Sequence, residues 1–401
     1  MRSAIDLSPP RADTRSAEPA PLVAHIIHQF SIGGLENGLV NLINHMPAGR
    51  YRHAIICLKG FSGFHNRLQR KDVEIVALNK KEGHDIGLYL RLFRALRRLR
   101  PDIVHTRNLS ALEGQFVAAL AGIRARAHGE HGRDMVDLDG RNTKYRLLRK
   151  ALRPFVGHFT TVSKDLEGWL AEAIGAPPHK IAQIYNGVDS ARFYPRNTRV
   201  SIGPPGFMHA DCIVVGSVGR MAAVKDFPSL VRAFLLLLER HPESRNRLRL
   251  LIAGDGEART HCHEMLRAAG AEALAWLPGE RDDIATLMQA MDVFALPSLA
   301  EGISNTILEA MASGLPVIAT RVGGNVELVE DGATGRLVPP GDPAALAAAI
   351  YQYCNDDALR RRHGTAARHK IEMRFSMDSM TQAYMDVYDR LLNRAPRFGR
   401  Y

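Results

Sequence analysis

Four cysteines in 401 residues (Cys57, Cys212, Cys262 and Cys354) stand far apart and form no CxxC pair. That spacing supports neither a disulfide framework nor a thiolate metal site, and reads as reduced, mostly buried thiols of a cytoplasmic protein. Aromatic residues are only 6% of the chain and do not interleave with basic ones. Base stacking therefore has few candidates, and nucleic acid is not an expected partner. No apolar run approaches membrane-spanning length; the richest, VRAFLLLLE and AALAAAI, are short and lie within amphipathic patterns. Residues 1–21 lack the apolar centre of a signal peptide and, with their Pro, Ser, Ala and charge, read as a disordered tail.

What the chain does have is enough apolar residues, 46%, to fill two cores. From Leu22, short runs rich in β-branched residues (LVAHIIHQF, HAIICL, VEIVAL, DIVHT, ARAHGEH, HFTTVS) alternate with helix-length segments as far as Pro195. The pattern restarts at Cys212 with CIVVGSVGR, LRLLIAG, AWLPG, DVFALPS and LPVIAT. This alternation predicts an α/β protein of two parallel-sheet domains, residues 22–195 and 212–376, joined by a Pro- and Gly-rich linker over 196–211. A surplus helix, about 377–395, follows after the second domain is complete and is expected to pack back on the first.

Charge is unevenly placed. Residues 1–153 hold 26 Lys and Arg against 14 Asp and Glu, whereas residues 154–401 hold 27 against 28. The excess concentrates in LYLRLFRALRRLR (Leu88–Arg100), with an apolar stripe of Leu88, Leu92, Leu96 and Leu99, and in RNTKYRLLRKALRP (Arg141–Pro154). Either these are ordinary solvated helix faces, or the first half binds an anionic surface; by charge alone lipid headgroups, a lipid pyrophosphate or nucleic acid would qualify.

Several motifs carry chemistry. Glu301 and Glu309 stand eight apart, the first in a Glu-Gly turn, the second inside NTILEAMASG, a helix just ahead of the buried strand LPVIAT. A loop and helix N-terminus at the edge of a parallel sheet can hold an anion on free backbone N–H groups. Two acids there suit the hydroxyls of a sugar or ribose beside a phosphate; the plainer alternative is a turn residue and a solvated helix position. SIGG (Ser31–Gly34) directly follows the first strand and lets backbone approach a phosphate, or simply turns the chain; it is not the GxGxxG of dinucleotide folds. Arg220 and Lys225, in GRMAAVKD, offer a planar fork and a point charge to a diphosphate, or are two solvated cations. AHGEHGRD carries His128 and His131 as HxxH, but no third ligand is placed nearby and HExxH is missing, so no metal is expected. A single histidine at a cleft, hydrogen bonding or moving a proton, fits better than zinc; a loop histidine without a role is the alternative. VGGNVELV repeats the paired glycines, with Glu327 behind them.

Taken in order, these residues resemble the GT-B glycosyltransferases of family 4 over about residues 22–393. The set comprises the GG loop, a cleft histidine, NGVD at Asn186–Asp189, Arg220 and Lys225, AGDG at Ala253–Gly256, the E-x7-E pair and the final helix. FSIGGLENGLVNLINHMP further resembles the subgroup associated with exosortase and exopolysaccharide gene clusters. The resemblance implies two Rossmann-like domains facing a cleft, and retaining, metal-independent transfer from a UDP- or GDP-linked sugar with no cofactor. It implies that Arg220 and Lys225 hold the donor diphosphate, Glu309 the ribose hydroxyls and Glu301 the transferred sugar. Gly33 and Gly34 would close over the phosphate from the opposite domain. The family's cleft histidine matches His131 first and His128 second, with Gly129 standing where Thr is commoner. Ser304 and Asn305, in a stretch more polar than usual for the family, join the donor-binding set. The implied acceptor is a glycan, lipid-linked, at an anionic membrane surface facing the cytoplasm. A sugar-nucleotide 2-epimerase of the same architecture and a non-enzymatic anionic-surface binding protein are the alternatives.

Overall fold

The computed structural model describes residues 19–132, 137 and 140–394, so the expected N-terminal tail lies outside the described residues except for its last three. Strands β1 (Leu22–Ile27), β2 (Arg52–Cys57), β3 (Glu74–Ala77), β4 (Ile103–Arg107), β5 (Ala125–Glu130), β6 (His158–Thr161) and β7 (Ile181–Gln183) form one sheet, ordered β3-β2-β1-β4-β5-β6-β7. Strands β8 (Ile213–Val218), β9 (Leu248–Ala253), β10 (Ala275–Gly279), β11 (Val293–Leu296), β12 (Val317–Thr320) and β13 (Gly335–Val338) form a second, ordered β10-β9-β8-β11-β12-β13. Every pairing is parallel; Val23 of β1 faces His53 on one side and Ile103 on the other. Helices cover both faces of each sheet, which is why β1 and β8 are buried at every position and read as near-continuous apolar runs.

Three elements differ from the sequence pattern. The first helix covers Gly34–His45 and so begins on the last of the four SIGG residues read as a turn. Gly33 enters it with extended backbone and Glu36 sits in its first turn; burying Leu39, Val40, Leu42 and Ile43 outweighs the poor propensity of two glycines. An eighteen-residue helix, Asp357–Arg374, was not anticipated, because only His363, Gly364, Ala367 and Ile371 are buried on it and the apolar stripe is thin. The linker segment is pinned, not free. Arg196 and Arg199 bind the Asp292 carboxylate at 2.6 and 2.8 Å, and the carbonyl of buried Phe207 accepts from Arg249 Nε at 2.6 Å.

The last helix, Met377–Arg394, leaves the second sheet and packs on the first. Its Tyr384, Val387, Tyr388 and Leu391 share a core with Val23, Leu42, Ile103 and Ala127, and its Asp389 binds Arg50 and Tyr51. The four cysteines are all free, and three are buried. No helix among the described residues is long and apolar enough to cross a membrane.

Candidate active site

In each sheet the strand order reverses once, beside β1–β4 and beside β8–β11. Connections leave such a point in opposite directions and open a crevice at the carboxyl ends of the strands. The two crevices face each other. Asn305 Nδ2 donates to the Gly34 carbonyl at 3.0 Å, and Asn186 Nδ2 donates to Asn305 Oδ1 at 2.8 Å. A Cβ on Gly302 would lie 2.5 Å from the His131 carbonyl oxygen, so the loop after β5 rests directly on the loop after Glu301.

On the second-domain wall, Lys225 Nζ pairs with Glu301 Oε1, and the buried Ser298 hydroxyl donates to the same oxygen at 2.6 Å. Two close backbone approaches bring these loops together. Gly254, at φ +142°, has no room for a side chain, since a Cβ would sit 1.9 Å from the Gly219 carbonyl; Gly323, at φ +44°, meets the Glu301 carbonyl in the same way. Arg220 is exposed, and its guanidinium makes no hydrogen bond to a described residue. Its charge faces Glu36 of the first domain, whose carboxyl is pushed upward by burial and drawn back by its own backbone N–H and by Arg220.

Glu309 lies on the helix Asn305–Ala312, part-buried, with no hydrogen bond to its carboxylate. Burial lifts its carboxyl from the usual 4.5 to about 7, against the pull of Arg192 and of Arg67 from the first domain. Ser304 is buried, and its hydroxyl caps this helix by accepting from Ile307 N at 3.3 Å. The Asn305 amide, expected to touch the donor, is engaged with Gly34 and Asn186 across the cleft. Glu327 also crosses: it accepts from the backbone N–H of Lys164 (3.0 Å) and Asp165 (3.3 Å) and from Tyr185 Oη (2.7 Å). Gly33 and Gly34 sit at the first-domain rim, at the start of their helix.

The two histidines separate. His128 is 1% exposed and spends its nitrogens on Thr106 Oγ1 (2.8 Å) and Glu130 (3.4 Å). Arg149 binds Glu130 at 2.6 Å; burial works against this carboxylate, but Arg149 and His128 hold it at about 2. His131 is part-exposed beside Gly302 and receives Arg107 NH1 at 3.1 Å. Sequence reading missed Arg107, Glu36, Arg67 and Arg192. Arg107 at the end of DIVHTR was the one legible signal, a charge closing a short strand that begins with Ile103 and Val104. The others face the cleft only because the two domains meet. Among the described residues, no three His, Cys, Asp or Glu side chains are arranged to hold a metal ion.

The profile described as Glycosyltransferase Family 4 matches residues 32–192, and that of Glycosyl transferases group 1 matches residues 212–356. The fold and the matches together place this chain in the group 1, family 4 glycosyltransferases, with the GT-B fold of two parallel-sheet domains. It is 32% identical over 234 residues to the D-inositol 3-phosphate glycosyltransferase of Corynebacterium kroppenstedtii, covering 55% of this chain and 50% of that protein. The chain thus spans about half the length of that relative. It is 28% identical over 321 residues to the UDP-Gal:α-D-GlcNAc-diphosphoundecaprenol α-1,3-galactosyltransferase of Escherichia coli, covering 77% of this chain and 81% of that one. Anabaena HepE, solved with UDP and glucose, superposes with a TM-score of 0.76 at 20% identity, over 92% of this chain and 100% of HepE, which is a likeness of fold.

Proposed function

We propose that the protein is a retaining glycosyltransferase that moves a sugar from a UDP- or GDP-linked donor to a lipid-linked glycan, without a metal ion, in the synthesis of an exopolysaccharide or surface glycan. The observation that carries this reading is the set on the second-domain side of the cleft: Lys225 paired with Glu301, Arg220 exposed and in no ion pair among the described residues, and Glu309 on the next helix with its carboxylate unbonded by any of them. An incoming diphosphate displaces Glu301 from Lys225 and lies between Lys225 and Arg220, whose charges take up the negative charge of the leaving group as a divalent ion would. Glu301, released, accepts hydroxyls of the transferred sugar. Glu309 accepts the ribose diol. Gly33–Gly34 and His131 close the opposite side from the first domain. The relative from Escherichia coli, named for a UDP-sugar donor and a polyprenyl diphosphate acceptor, supports this substrate class.

The first domain supplies the acceptor side. A cavity of about 200 Å³ there is lined by Lys80, His84, Ile86, Tyr89, Ser110 and Glu113, among others. Beside it, helix Gly87–Leu99 buries Leu88, Leu92 and Leu96 and leaves Leu90 exposed next to Ile86, which is 82% exposed. Phe116 and Leu120 are exposed on the neighbouring helix. The sequence pattern treats the five arginines of this segment alike, but Arg91 is held by Asp85 and the Leu78 carbonyl and Arg98 by Glu74. Arg94, Arg97 and Arg100 remain exposed, and with exposed Ile86 and Leu90 on the same segment they make a combination suited to an anionic lipid interface. The experiment is transfer of radiolabel from a panel of UDP- and GDP-sugars onto extracted polyprenyl-linked glycans. Label entering the lipid phase with the anomeric configuration kept is the expected result; no transfer from any donor refutes the reading.

A further inference from the structure

Beneath the cleft lies a charge with no counter-charge. Arg107, at the end of β4, is 1% exposed, and no carboxylate pairs with it among the described residues. A buried guanidinium is costly unless its protons are accepted. Here the acceptors are imidazoles: NH2 reaches His25 Nδ1 at 3.2 Å, and NH1 reaches His105 Nε2 at 3.3 Å and His131 Nε2 at 3.1 Å, while Nε has no partner among the described residues. Tyr384 of the last helix stacks its ring 5.8 Å from the guanidinium centre and closes the cluster from below.

Guanidinium only donates, so each nitrogen facing it must be a lone pair, and the proton of each neutral ring goes to the other nitrogen. The assignment then propagates outward. His25 carries its proton on Nε2 and donates to His53 Nδ1 at 3.0 Å; His105 carries its proton on Nδ1 and donates to Tyr388 Oη at 2.9 Å. For His131 the protonated nitrogen is Nδ1, which has no partner among the described residues and belongs to a part-exposed ring at the cleft. We propose that Arg107 is a positioning residue that fixes the ring and tautomer of His131, so that His131 presents an N–H donor, not a proton acceptor, to the cleft.

Gly129 provides an independent observation. A Cβ there would stand 2.8 Å from His131 Nε2 and 3.1 Å from His105 Nε2. The glycine is the space into which the His131 ring folds to reach Arg107. The groups facing His131 are Arg107 and His105 from β4 and His128 and Glu130 from β5. Burial and then Arg107 hold His131 well below its ordinary value, while Glu130, already neutralised by Arg149, opposes them weakly. With its Nε2 lone pair facing Arg107 and its proton on Nδ1, His131 has no lone pair aimed into the cleft and cannot serve as the base of a transfer step. In the glycosyltransferase reading, on which this part rests, its Nδ1–H is a fixed donor to a hydroxyl of the transferred sugar.

The test is long-range proton–nitrogen NMR on the full chain labelled in its imidazoles, with His131→Asn locating the signal. The wild-type ring is expected to be protonated on Nδ1 only and not to titrate between pH 5 and 8. In Arg107→Gln, and in Gly129→Ala, which leaves Arg107 in place, the proton should redistribute and a titration should appear in that window. UDP affinity by calorimetry should stay within threefold in both variants, while turnover of the donor accepted by the wild type falls roughly 10²-fold, the usual loss for one aimed donor. A wild-type ring protonated on Nε2, or titrating near pH 6.5, overturns the proposal even if neither variant folds. Failure of UDP and GDP to bind the wild type, with the tautomer as stated, would instead overturn the glycosyltransferase reading alone.

Discussion

Binding of UDP-glucose at Glu309 should expel a proton. The carboxyl is held at about 7 by burial, and its carboxylate accepts no hydrogen bond from a described residue. A ribose diol brings two O–H donors. Each hydrogen bond to a charged acceptor contributes about 1.5–3 kcal/mol, or about one to two pKa units, so two suffice to return the group to about 4.5. At pH 6 the free carboxyl is about 90% protonated and the bound one only a few per cent, so about 0.9 proton leaves per nucleotide sugar bound. At pH 8.5 release should be close to zero. Calorimetry in buffers of different ionisation enthalpy measures it, and UDP-glucose, with no phosphate titrating near pH 6, keeps the count clean; GDP-mannose replaces it if UDP-glucose is not bound. Glu309→Gln should bind more weakly and release nothing. The same shift has a stability consequence. The folded state holds this proton more tightly than the unfolded chain, so its contribution is complete below about 4.5 and is lost as pH rises through about 7. Glu309→Gln should therefore stabilise the empty protein at pH 8.5 by roughly 2–3 kcal/mol and leave it nearly unchanged at pH 4. Tight binding with no proton release at pH 6 would refute the ribose assignment.

Arg220→Ala and Lys225→Ala should each weaken nucleotide-sugar binding by about 10- to 100-fold, since each loses a charged hydrogen bond of about 1.5–3 kcal/mol, with thermal unfolding little changed. Unchanged affinity in both would remove the diphosphate from this wall. Glu327→Ala strips the acceptor from Lys164 N, Asp165 N and Tyr185 Oη at once. It should lower stability by about 1–3 kcal/mol and enlarge the radius of gyration in solution scattering as the domains part; identical scattering would show that Glu327 does not hold them. Arg94→Glu with Arg97→Glu should abolish binding to anionic liposomes at low salt, at about 1 kcal/mol per charge, and leave nucleotide affinity intact. Equal binding of the wild type to neutral and anionic vesicles would argue for a soluble acceptor.

Periodicity and local chemistry alone determined that this chain is two parallel-sheet domains, because buried parallel strands must be continuously apolar and the helices between them amphipathic; β1 and β8 show it at every position. The positions of Arg220, Lys225, Glu301 and Glu309 were legible for a related reason, since they follow strand ends where backbone N–H groups and crevice loops occur. The helix Asp357–Arg374 was not, for its buried face is too thin to leave a stripe. What only the tertiary structure decided is which side chains meet from opposite domains. Asn305 looked like a donor ligand and is engaged by Gly34 and Asn186, while His128 on β5 is buried and His131, one residue past that strand, is part-exposed. Arg107 shows the limit most clearly. Its three imidazole acceptors come from residues 25, 105 and 131, and its ring lid from residue 384. No local pattern encodes a contact set spread so widely along the chain. It exists because β1, β4 and β5 lie side by side in the sheet and the last helix crosses back beneath them.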